Sequence, residues 1–199
     1  MPPSPVYWIS EYAARKGLRY EPDADEHWLR VWEPYATLKV PIRYEHTLTA
    51  TGTSGSISIA RFVVSVDSNV GGVARSVDLG AWIAIAQDER IDAVAAATSD
   101  AGHVFGETLD LVPMRRRATG DADFDHIFAS FAPTSDDLTR GINPSLRKLT
   151  LGWRIPLHFE LRKGGFILAP VALAADPNGL AWFVRAVHLF GDKAAKPAK

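Results

Sequence analysis

From Lys39 to Thr51 the chain alternates, with Val40, Ile42, Tyr44, His46, Leu48 and Ala50 on one parity. A period of two puts successive side chains on opposite faces of a strand. Gly52-Thr-Ser-Gly55 follows as a turn. Ser56 to Val66 then alternates again through Ile57 and Ile59 before thickening into Phe62-Val63-Val64. Two alternating runs joined by a short glycine-bearing loop predict a β-hairpin, and so antiparallel pairing.

The pattern continues along the chain. Ser68 to Gly72 reads as a turn, and Leu79 to Ala86 as a third strand with Trp82 and Ala84 opposite Ile83 and Ile85. Within Asp88 to Asp100, Ile91, Val94 and Ala95 have helical spacing, in a short alanine-rich stretch. Glu107 to Met114 reads as another strand. Leu157 to Arg162 alternates strictly, Lys163-Gly164-Gly165 turns, and Phe166 to Val171 returns, which is a second hairpin.

Helices are expected at both ends. Ser4-Pro5 is a start signal, and Arg15-Lys16 before Gly17 is a stop, giving a helix over about 5–16. A short helix carrying Trp28, Leu29 and Trp32 is capped by Asp23 or Asp25 and ends before Pro34. Further starts lie at Thr134-Ser135-Asp136-Asp137 and at Asn143-Pro144, the latter turning Leu146, Leu149 and Trp153 inward. Asp176-Pro177 opens a last helix to about Phe190, with Gly191 just past its end and Lys193 to Lys199 as a frayed tail. The expected class is α+β: antiparallel hairpins form a sheet or partial barrel, with N-terminal and C-terminal helices packed against it. A helix-plus-sheet half over 1–114 and a helix-hairpin-helix half over 124–191 meet at the polar stretch Arg115 to Asp123, in one compact domain with 192–199 a tail.

The last helix is apolar on most sides. Leu180, Phe183, Val184 and Val187 make one stripe, and Trp182, Ala186 and Leu189 a second, offset one. Such a helix is buried between layers of its own domain or against a second subunit. Trp182, Ala186 and Leu189 are therefore the candidate interface. The apolar run Gly164 to Val184 is broken by Pro170, Asp176, Pro177, Asn178 and Gly179, which argues against a membrane span.

Composition narrows the functional classes. There is no cysteine, so disulfides and thiolate chemistry are excluded, and a reducing, cytoplasmic compartment is expected. The N-terminus lacks the basic and apolar regions of a signal peptide. A formal net charge of −1 argues against nucleic-acid binding.

The familiar catalytic motifs are absent: no phosphate-binding glycine loop, no G-x-S-x-G, no H-E-x-x-H. Asp121-Ala-Asp123-Phe-Asp125 starts like a calcium loop, but His126 stands where a glycine must turn and Ala132 where a glutamate must close the site. Helix capping is the better role for these aspartates. His158, Glu160 and Arg162 share one face of their strand, and alternation makes that face solvated. His103 and Glu107 would pair only on a helix, which Gly102 and Gly106 disfavour. His46 sits on the apolar parity of its strand, where a hydrogen-bonded core histidine is the usual outcome. If a pocket exists, His46, Tyr44 and Trp82 are its candidate lining, since inward polar groups orient ligands. No cofactor or metal site follows from these patterns, and no reaction is nominated.

One resemblance rests on the order Phe124-Asp-His-Ile-Phe128, Ser135-Asp136-Asp137, Asn143-Pro144-Ser-Leu146 with Leu149, the hairpin at Gly164-Gly165 and an apolar last helix. Over its last 75 residues or so the chain resembles the uncharacterised bacterial DUF3137-like proteins. The resemblance implies a bacterial scaffold or interaction role and carries no catalytic residues or cofactor. The leading expectation is a non-enzymatic protein–protein interaction or structural module, with a protein partner or self-association as a homodimer. The alternatives are a binding protein for a small apolar ligand or lipid headgroup, and an enzyme of unfamiliar type.

Overall fold

A computed structural model describes residues 7–23, 43–52, 55–70, 73–99, 114–170, 173 and 176–195. In chain order the described elements are α1 (Tyr7–Lys16), β1 (Arg19–Asp23), β2 (Arg43–Gly52), β3 (Gly55–Val70), β4 (Val73–Asp88), β5 (Ala95–Thr98) and β6 (Arg115–Arg117). They continue with α2 (Ala122–Ile127), β7 (Ala129–Ala132), α3 (Ser135–Gly141), α4 (Pro144–Trp153), β8 (Leu157–Arg162), β9 (Gly165–Pro170) and α5 (Pro177–Ala194). The strands form one antiparallel sheet in the order β1-β2-β3-β4-β9-β8-β5-β7-β6. The molecule is α+β with helices at both ends, as expected. The sheet is open rather than barrel-like.

Both expected hairpins are present. Gly52 pairs with Gly55 across the first turn. Gly55 is obligatory there: at φ +147° an added Cβ would lie 1.8 Å from the Gln87 carbonyl oxygen. Arg162 pairs with Gly165 across the second turn, where Gly164 takes φ +88°. The third strand is longer than its apolar run. β3 and β4 pair from Gly55↔Asp88 out to Val70↔Val73, so the turn expected from Ser68 falls later, with two residues between the strands. Ser68 and Asn69 sit in the ladder because backbone pairing tolerates polar side chains. The helical spacing at Ile91, Val94 and Ala95 is overturned as well: Ala95 to Thr98 are strand, paired with β7 and β8. The expected helix around Trp28 lies outside the described residues, as does the pair His103 and Glu107; of the strand expected over Glu107 to Met114 only Met114 is described, and it is not in a strand.

The helix starts follow the capping rules. Asp121, Thr134, Asn143 and Asp176 each accept from a backbone N–H in the first turn of the following helix. The expected end of the last helix does not hold, since α5 runs through Gly191 to Ala194. Gly191 serves packing instead: an added Cβ would sit 3.0 Å from the Phe166 ring. Asn143 Nδ2 donates to the Lys193 carbonyl at 3.0 Å, tying the start of α4 to the end of α5.

One sheet face carries Leu48, Ile59, Trp82, Ala84, Phe159, Leu161, Phe166 and Leu168 against Ile9 and Tyr12 of α1, Leu146 of α4, and Leu180, Phe183, Val187 and Phe190 of α5. Phe190 anchors this layer, with ring centroids 5.1 Å from Phe159 and 4.9 Å from Phe166. Burying a ring of this size stabilises the fold by about 1.5–3 kcal/mol. The second face is buried at its centre too, at Ala60, Ile83, Ile85, Ala96, Ile167 and Ala169.

Candidate functional site

The polar side chains of interest lie at three places. The first is an irregularity in β2. Glu45 pairs with Arg61 and Leu48 with Ile59, so His46 and Thr47 together oppose one residue, a β-bulge. His46 takes φ +54°, a left-handed conformation that costs an ordinary side chain roughly 1–2 kcal/mol. The bulge shifts alternation by one residue. Tyr44 is in register with Phe62, and Leu48 with Ile59, so the single parity expected from Val40 to Ala50 does not run through the strand. His46 is buried, its Nδ1 lies 2.8 Å from the Tyr20 hydroxyl, and the two rings are stacked within 9° of parallel. This matches the hydrogen-bonded core histidine expected at that position.

Next to the bulge runs a row across three strands. Glu45 of β2 faces Arg61 of β3, which faces Trp82 of β4. Trp82 is 2% exposed and Arg61 half-buried. Neither Trp82 Nε1 nor Arg61 Nε has a hydrogen-bond acceptor among the described residues. The side chain of Tyr44 lies outside the described residues.

The second place is β8. Its alternation, Leu-His-Phe-Glu-Leu-Arg, reads as one solvated face, and the structure overturns this. His158 and Glu160 are fully buried, as are Leu157, Phe159 and Leu161. β8 lies between β9 and β5 inside the sheet, and both of its faces are covered. His158 Nε2 lies 3.0 Å from Glu160 Oε1, and Arg162 donates to Glu160 Oε2 at 3.2 Å. Buried charge persists only when paired in this way.

The third is the end of the sheet beside α5. Arg90 grips Asp88 at 2.9 and 2.6 Å and lies 3.6 Å from Asp192. The hydrogen bonds from the Arg90 side chain hold the Asp88 carboxyl below its usual range. A cleft of about 270 Å³ lies here, lined among others by Gly55, Gln87, His188 and Asp192. A larger cleft of about 420 Å³ is mostly apolar, bordered by Ile127, Phe128, Leu151, Ile155 and Pro156 with Ser99 and Arg154.

The aspartates of the false calcium loop are structural. Asp121 caps α2 and pairs with Arg147 at 3.1 Å. Asp125 accepts from the Thr119 N–H and hydroxyl and from the Gly120 N–H. Burial raises its carboxyl, but these donors outweigh burial and leave it lowered. Among the described residues no three histidine or acidic side chains gather to hold a metal.

The candidate interface residues sit differently from one another. Ala186 is buried, Trp182 is half-buried and meets Trp153 edge-on at 5.5 Å, and Leu189 is 47% exposed. Leu189 and Ile127 are the exposed large apolar side chains among the described residues. No described helix is long and apolar enough to cross a membrane. Sequence reasoning missed Arg61 and the Asp88–Arg90 clamp. The one available signal was an acidic residue closing an apolar strand with arginine two positions on.

No protein-family model and no curated protein matches the chain. One solved structure does, the crystal structure of the mycobacterial trehalose monomycolate transport factor A, TtfA. The match covers 96% of this chain and 95% of that one, with a TM-score of 0.62 and 12% identity. At that identity the two share a fold.

Proposed function

We propose that this chain is a non-enzymatic accessory factor of a lipid-transport assembly, acting through protein–protein contact. The observation that carries the reading is the fold shared with TtfA over nearly the whole of both chains. Because fold alone does not fix function, the side chains must supply the rest of the argument. The carboxylates of the cleft beside α5 are held by Arg90, and Glu160 by His158 and Arg162, which suits structural roles better than proton transfer. Leu189 on α5 and Ile127 at the end of α2 supply apolar contact points on the surface.

The test is depletion of the chain in its host, followed by pulse-labelling of envelope lipids. An accessory transport role predicts that a lipid is made at the normal rate but accumulates before export, and that the intact chain restores export. Normal lipid distribution after depletion, or loss of synthesis rather than export, contradicts the reading.

A further inference from the structure

We infer that Arg61 and Trp82 form a binding site for an oxyanion, a phosphate or carboxylate, on the helix-bearing face of the sheet. The two residues are directly opposite in the β3–β4 ladder, which places their Cβ atoms about 4.5–5.5 Å apart on one face. Trp82 Nε1–H and Arg61 Nε–H are both buried, and neither has an acceptor among the described residues. Each unsatisfied buried donor costs roughly 1–3 kcal/mol, and folded proteins seldom leave two side by side. A ligand oxygen between them removes both costs.

The chemistry of the donors selects the ligand class. An indole offers one N–H and no acceptor, and a guanidinium offers a fork of donors with a permanent positive charge. Together they fit an oxygen-rich anion and offer nothing to a ligand N–H. Arg61 as a residue is half-buried, while its Nε is buried. Glu45, in register with Arg61 on the other side, is buried and already engaged in an interaction of its own. The left-handed His46 sits one residue from this row, in the bulge. Backbone strain and bulges concentrate at functional sites.

The site takes either a free anion or the headgroup of an anionic lipid, and two probes separate these sources. The indole N–H resonance of Trp82, assigned by Trp82→Phe, is followed while inorganic phosphate or dihexanoyl phosphatidic acid is added to the full chain. The site predicts a saturable downfield shift of that resonance with at least one probe. A response to phosphate identifies a free-anion site, and a response to the lipid alone identifies a headgroup site. Arg61→Gln should weaken binding about tenfold or more, while Arg61→Lys retains part of it. Dispersed amide spectra of both variants establish that they fold. No shift with either probe at millimolar concentration overturns the site, as does an unchanged affinity in folded Arg61→Gln.

Discussion

His46 shows how one residue sets its surroundings. At φ +54° it turns the β2 bulge, and its imidazole holds the Tyr20 hydroxyl at 2.8 Å. Tyr20→Phe should lower stability by about 1 kcal/mol, the net worth of one part-buried hydrogen bond. His46→Ala should cost more than His46→Gly, because alanine keeps the left-handed penalty and loses the partner, whereas glycine escapes the penalty. Urea denaturation of the three variants checks the order, and equal losses for Ala and Gly would remove the bulge from the explanation. Asp88 makes a pH-dependent contribution. Its folded carboxyl is lowered by Arg90, so its stabilisation is fully present above the usual carboxylate range near pH 4. It is lost as pH falls through the lowered folded value. Asp88→Asn should therefore be less stable than wild type at neutral pH, with the gap closing in acid. A gap that is constant from neutral pH to about pH 2 would contradict this linkage. An inward histidine was readable from its position among apolar neighbours. Its bulge was not, because the register slip depends on pairing with β3 rather than on β2 alone.

At the scale of elements, β8 gives the clearest lesson. Strict alternation of Leu157, Phe159 and Leu161 with His158, Glu160 and Arg162 describes a half-exposed strand only when one sheet face meets water. Here both faces are covered, and the polar series is neutralised internally through Glu160. Periodicity reports which residues share a face; it carries no information on what lies opposite that face. Glu160→Leu should cost about 3–5 kcal/mol by removing the acceptor that His158 and Arg162 share, and His158→Leu less, because Glu160 keeps Arg162. The double variant should cost less than the sum, because the two side chains contact each other. Single losses below about 0.5 kcal/mol would mean a solvated face after all. Capping was the most legible feature: Asp121, Thr134, Asn143 and Asp176 mark helix starts by local chemistry alone. The end of α5 misled for a tertiary reason, since Gly191 answers to the Phe166 ring across the core.

The whole molecule joins its two hairpins through β4 and β9, so one sheet runs from β1 to β6. The antiparallel class followed from hairpins that are local in sequence. The strand order did not, because the pairing of β4 with β9 spans about eighty residues of chain. The offset stripe on α5 also needed the third dimension: Trp182 is partly taken up by Trp153 and Ala186 is buried, which leaves Leu189 outward. The proposed function makes this surface, at Leu189 and Ile127, a contact for a protein partner. A photo-reactive benzoylphenylalanine in place of Leu189, and separately of Ile127, tests that directly in the living host under illumination. The proposed contact role predicts a covalent adduct between the chain and a different protein from at least one of the two positions. Adducts only between copies of the chain, or none from either position, would contradict it.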